Sequence, residues 1–227
     1  KQGPDNNFIN ALKFCSSDYV FFSDQDDVWI NSRIEKYIQL FPKLNSVYPG
    51  LIYSDLMVVD SKLDVISESF YKHHNIGFDW GLKLGNLFLQ NCAPGCTMLI
   101  NKAAVNKLIE SYTELSCMHD WWIFLYASLY DNTIFIKQAT LKYRQHDNNA
   151  VGVRNNLKFG EFFKTFKKSK LNLVKTIDQS KAFFNSLNEY EVELLRPSEL
   201  RALLFFSGFR ESTLIDRLVF CIVSGKL

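Results

Sequence analysis

Apolar positions along this chain alternate between two rhythms, short continuous runs and helical repeats. Asn7 predicts an N-cap for a helix reaching about Phe14, with Phe8, Ile9 and Leu12 on one face. Tyr19 to Phe22 are continuously apolar, the pattern of a short strand covered on both faces. Asn31 or Ser32 then caps a helix in which Ile34, Tyr37, Ile38 and Phe41 recur at helical spacing. GLIYSDLMVVD reads as a second strand with Asp55 inside it, and KLDVIS as its hairpin return. Residues 79–90 predict a helix, CTMLIN a short strand, and KAAVNKLIESY a helix opening after Asn101. HDWWIFLYASLY is apolar nearly all round and predicts a buried helix, and NTIFIKQATLKYRQH reads as strand. Alternating strands and helices point to an α/β architecture with a mainly parallel sheet.

From about Asn155 the pattern is helical throughout, which places a boundary between a domain over 1–153 and a helical basic region over 154–227. Charge divides the same way. The first part carries 13 Lys+Arg against 16 Asp+Glu, and the second 13 against 8. Residues 154–175 hold seven basic residues and one acidic, with Phe159, Phe162, Phe163 and Phe166 on one helical face. Lys164, Lys167, Lys168 and Lys170 flank or oppose that face, a pattern suited to an anionic membrane interface. Packing of the same face against the first domain is the alternative. The basic charge is confined to this one segment, so nucleic acid is not an expected partner.

The 227 residues are 47% hydrophobic, enough for one sizeable core plus a smaller appended piece. Five cysteines, an odd number without paired C-x2-C spacing, read as free thiols in a reducing compartment. No apolar run approaches the ~20 residues of a membrane span. A cytoplasmic protein, peripheral at the inner face of the membrane, is the expectation. Lys-Gln-Gly-Pro-Asp-Asn-Asn at the start reads as a loop entering a helix, as if the chain began within a longer one.

Chemistry concentrates in FSDQDDVW, where Asp24, Asp26 and Asp27 crowd together at the end of the first strand. Carboxylates are hard ligands for Mg2+ or Mn2+, and a cation held by one or two of them completes its shell with phosphate oxygens. The alternative is helix capping by Asp27 with the others solvated. NCAPGCTMLIN holds a Pro94-Gly95 turn followed by small and hydroxyl residues, as where backbone approaches a ligand. MHDWW sets His119 and Asp120 before the buried helix, where Asp120 serves equally as a cap. YRQHDNN ends a strand with Arg144 and His146. A two-metal phosphodiesterase site would use Asp24, Asp26 and Asp55, leaving Asp120 and the YRQH stretch without a role.

Taken in order, FSDQDDVW, YSDL, NCAPGCTMLIN, MHDWW and YRQHDNNAVG resemble the family-2 glycosyltransferases, in their rhamnosyltransferase-like branch. The resemblance covers roughly residues 3–152. It implies a partial GT-A-type nucleotide-sugar transferase fold followed by a C-terminal helical segment. It also implies inverting sugar transfer from a nucleotide donor, dTDP-L-rhamnose first among the candidates, to a saccharide or lipid-linked saccharide acceptor of a surface polysaccharide. Another nucleotide sugar, or an inactive remnant serving as a binding module, is the alternative. By the same resemblance Asp24 and Asp26 meet an Mg2+ or Mn2+ ion and the donor diphosphate, with His146 near both. Asp120 is the implied general base. Gly95, Cys96, Thr97 and His119 line the acceptor side, and Trp121 and Arg144 join the substrate contacts. Gly3 and Asn7 stand at the nucleotide end. The family's first strand and its D-D-G-S-type turn, which hold the nucleoside, would precede residue 1, so a fragment or a truncated gene is expected.

Overall fold

A computed structural model describes residues 4–145 and 162–208 of the chain. The first helix, α1 (Pro4–Leu12), opens earlier than the sequence suggests. Pro4 suits a first helical position because its ring presets φ and its missing N–H has no helical partner there. Asn7 is therefore inside the helix, exposed, and is not its cap. Strands β1 (Tyr19–Phe21) and β2 (Val28–Trp29) follow, with α2 (Arg33–Ile38) behind them. The long strand β3 (Leu51–Val59) returns through a turn into β4 (Val65–Ser67), as the hairpin pattern predicts. Next come α3 (Phe70–His73), α4 (Leu84–Leu87) and β5 (Leu99–Asn101). After α5 (Lys102–Ser111) and α6 (His119–Leu129), strand β6 (Thr133–Arg144) closes this part of the chain.

The sheet runs β1-β5-β3-β6-β2, with β4 pairing β3 beside this path. Among the described residues it is mixed, not mainly parallel: β3–β6 is parallel, and the β1–β5, β3–β5, β3–β4 and β2–β6 pairings are antiparallel. A tight turn from β3 to β4 accounts for the β3–β4 pair, since only antiparallel neighbours can be joined so briefly. Even so, β1, β3 and β6 all point the same way, because β5 lies antiparallel between β1 and β3. Their carboxyl ends share one edge of the molecule.

Three local expectations fail for tertiary reasons. β1 is an end strand and only half-buried, not a strand enclosed on both faces. Residues 79–90 form a 3-10 turn over Trp80–Leu82 and the four-residue α4, separated by Lys83 in an extended conformation, while Gly81 and Gly85 weaken the tendency to a longer helix. Helix α2 is turned round: Arg33 and Tyr37 are buried, whereas Ile34 and Ile38 are 48% and 52% exposed. Phe41 belongs to a separate 3-10 turn and stacks on Tyr19 at 4.3 Å.

The main core lies between the sheet and α1, α4, α5 and α6. Helix α6 is buried nearly all round, as its composition predicts. The C-terminal helices α7 (Phe162–Ser186), α8 (Glu189–Glu193) and α9 (Pro197–Gly208) contribute to the same core. Phe183 meets Trp122, Tyr126 and Phe88, and Glu191 pairs with Lys107 at 2.6 Å. Phe159 lies outside the described residues, as do the side chains of Phe162, Phe163, Phe166, Lys164, Lys167, Lys168 and Lys170. Among the described residues, no helix is long and apolar enough to cross a membrane.

Candidate active site

The acidic loop leaves β1 at one end of the sheet and re-enters as β2 at the other. A turn at Gln25–Asp26 folds the loop so that Asp24 and Asp27 approach each other. One carboxylate oxygen from each, together with Cys96 Sγ, lies within 4.8 Å of the others. Burial raises Asp24, the neighbouring Asp26 raises it further, and His119 opposes both. Burial likewise pushes Asp27 up to about 6, against a hydrogen bond from Cys96. The Cys96 thiol is raised well above its usual range, first by burial and then by Asp27 and Asp24. It therefore stays a neutral thiol and is a poor metal ligand. Tyr143, raised by burial and by Cys96, Asp27, Asp24 and Asp26, keeps its phenol proton beside the cluster.

Arg144 fastens this loop from behind. Its Nε donates to Asp26 O at 3.1 Å, another guanidinium nitrogen donates to Ser61 O at 2.8 Å, and its backbone N–H donates to Asp27 Oδ1 at 3.4 Å. These bonds place it as a support for the loop.

The second half of the site is built on the 3-10 turn Gly95–Thr97 and the start of α6. Asp120 Oδ2 accepts the Gly95 N–H at 2.9 Å, and Oδ1 accepts the Trp121 N–H at 2.6 Å. Met118 occupies the N-cap position without a side-chain cap, so Asp120 also satisfies a donor of the first helical turn. A methyl group at position 95 would lie 3.3 Å from both Asp120 Cβ and His119 Nε2, which accounts for glycine there. His119 is buried, stacked on Phe8 at 4.4 Å and meeting the edge of Phe22 at 5.0 Å. Thr97 is also buried, and its hydroxyl donates to Pro94 O at 2.7 Å. Trp121 is half-buried, with Nε1 donating to Leu87 O at 2.6 Å.

One turn thus joins the two halves: Gly95 N–H binds Asp120, and Cys96 Sγ sits beside the Asp24 and Asp27 carboxylates. Asn7 stands exposed on α1, and Gly3 and His146 lie outside the described residues. Asp55 takes no part. Its buried carboxylate accepts from the Leu56 N–H, the Ser69 hydroxyl and the Phe70 N–H, tying β3 to the start of α3. A two-metal site that includes Asp55 is therefore ruled out.

No family model matches the chain. It is 27% identical over 168 residues to the dTDP-rhamnosyl transferase RfbG of Shigella flexneri, an alignment covering 69% of this chain and 54% of that protein. It is 26% identical over 125 residues to WfgD of Escherichia coli, a UDP-Glc:alpha-D-GlcNAc-diphosphoundecaprenol beta-1,3-glucosyltransferase, covering 55% of this chain and 43% of that protein. The chain is similar to the rhamnosyltransferase-like family-2 glycosyltransferases. It spans about half the length of the curated relatives it matches.

Within this glycosyltransferase likeness, Asp27, Tyr143 and Arg33 are the residues that sequence reasoning missed. Asp27 had a signal, since a polar turn at Gln25–Asp26 makes positions 24 and 27 neighbours. Arg33 had none, because a charged residue at a helix start reads as solvated.

Proposed function

We propose that this chain carries the catalytic face of an inverting glycosyltransferase. It takes a sugar from a nucleotide-activated donor, dTDP-L-rhamnose first among them, and places it on a saccharide or lipid-linked acceptor in surface polysaccharide synthesis. The observation that supports this reading is the Gly95–Thr97 turn, which holds Asp120 on one side and the Asp24–Asp27 pair on the other. A base and an anion-binding cation site must lie this close when one displacement joins acceptor to sugar and releases a diphosphate.

The donor set fits a hard divalent cation. Asp24 and Asp27 crowd each other, burial raises both, and Asp27 Oδ2 is buried with no hydrogen-bond partner. Mg2+ or Mn2+ would be held by Asp24 and Asp27, with Asp26 beside them and His146 by resemblance. Such an ion supplies charge stabilisation to the departing diphosphate. Asp120 takes the proton of the acceptor hydroxyl as its oxygen bonds to the anomeric carbon. The sugar–diphosphate bond breaks on the opposite face, and its electrons stay with the nucleotide. Backbone donors on both oxygens of Asp120 fix its direction. The half-buried Trp121 offers part of its ring as an apolar surface for a sugar. A cytoplasmic setting at the membrane periphery suits a lipid-linked acceptor such as the one in the Escherichia coli relative's name.

Calorimetric titration of the full chain with dTDP, with Mn2+ and then with EDTA, tests the donor half. Binding is expected only with the cation, and cation-independent binding overturns that assignment. Asp120→Asn tests the acceptor half. It should cost about 10²–10⁴-fold in turnover and leave dTDP affinity within about twofold. Retained turnover removes Asp120 from the mechanism.

A further inference from the structure

Helix α2 makes an unusual choice of face. It exposes two isoleucines and buries an arginine that is only 1% accessible. Among the described residues no carboxylate pairs with Arg33. Its guanidinium donates to Thr140 Oγ1 at 3.0 Å and to Cys96 O at 2.7 Å. The rings of Trp29, Phe21 and Tyr37 surround it at 4.6, 5.2 and 5.2 Å. Nε is buried without an acceptor. Asp27 acts on this charge only from beyond hydrogen-bond range, so burying it is costly, and rotating the helix to bury Ile34 and Ile38 would avoid the cost. The shortest of its bonds, to Cys96 O, ties this buried charge to the turn beside the candidate site.

Cys96 is the middle of the turn that joins the two halves of the site. One helical turn after Arg33, Tyr37 donates its hydroxyl to Thr97 O at 2.5 Å. The i, i+4 pair on α2 therefore grips two successive carbonyls of the turn. Within the same turn, Gly95 N–H meets Asp120, and Cys96 Sγ lies within 4.8 Å of a carboxylate oxygen of Asp27. We propose that Arg33, seconded by Tyr37, is a positioning residue that sets the direction of the Gly95 N–H and the Cys96 thiol, and through them of Asp120 and Asp27. The role of those two carboxylates in sugar transfer rests on the function proposed above. The clamp itself does not.

Hydrogen exchange of individual amides tests the clamp without any turnover. In the full chain, Arg33→Met keeps the stem and removes both donors. The Gly95 amide should then exchange at least about tenfold faster, while that of Leu108 in α5 is unchanged. A merely structural arginine would accelerate both equally or neither, and either pattern overturns the proposal. Should Arg33→Met fail to fold, Tyr37→Phe removes only the hydroxyl on Thr97 O and must show the same selective loss at Gly95. In a transfer assay, Arg33→Met should lower kcat by about 10²-fold, the scale of a 1 Å misplacement, with KM for the nucleotide sugar within about twofold. Arg33→Lys, which can reach Cys96 O alone, should recover part of that loss. If the parent protein transfers no sugar, the proposed function fails and the exchange result still decides the clamp.

Discussion

Asp27 is held in a site that disfavours its charge, and replacing it by Asn should stabilise the metal-free protein. Burial is the largest cause of its shift from the ordinary 3.8 to about 6. Between those values the folded state binds a proton that the unfolded state has released. Stability therefore falls as pH rises through that window, and the full penalty is present above it. A shift of roughly two units corresponds to about 3 kcal/mol. Asp27 is only half-buried, and solvent screening reduces this to about 1–2 kcal/mol. Asn keeps the oxygen that accepts the Arg144 N–H and removes the ionisation. In urea melts with EDTA, Asp27→Asn should exceed the parent by about 1–2 kcal/mol at pH 7.5 and match it near pH 4. Saturating Mn2+ should reverse the order at pH 7.5, since an ion at 100 times its Kd adds about 2.7 kcal/mol to the parent alone. Equal stability of the two proteins at pH 7.5 in EDTA would refute the argument that an unneutralised carboxylate is confined there.

Asn101 is buried and bridges β5, α5 and the loop before β3: it accepts from the Gly50 and Ala104 N–H groups and donates to Asn45 O and Tyr48 O. Asn132 Nδ2 also serves those two carbonyls, so Asn101→Ala should cost a helix cap plus one orphaned N–H, about 2–4 kcal/mol in urea unfolding. A cost below about 1 kcal/mol would mean water replaces the side chain. Phe183→Ala should cost about 3–5 kcal/mol in a single cooperative transition, because its ring fills the space between α6 and α7. Separate melting of the C-terminal helices would contradict a shared core.

Local pattern was enough for the elements whose environment is uniform along their length. Strand β3 is buried at nearly every position and α6 almost all round, so their continuous apolar runs predicted them well. Asn101 capped α5 as expected, its side chain accepting the Ala104 N–H, because capping depends on neighbours three residues away. The order of motifs likewise pointed to family-2 glycosyltransferases, and the curated relatives support that. What depended on distant partners was not legible. Whether β5 runs antiparallel between β1 and β3 is decided by which strand edges remain free, not by the apolarity of LIN. The periodicity of α2 permits two faces, and only the aromatic pocket of Phe21, Trp29 and Tyr37 with two distant oxygen acceptors makes burying Arg33 tolerable. Asp27 joins Asp24 and Cys96 because the turn at Gln25–Asp26 sets which side chains meet, and Cys96 reaches that cluster only once the Gly95–Thr97 turn and the acidic loop are folded together over the carboxyl ends of β1 and β6.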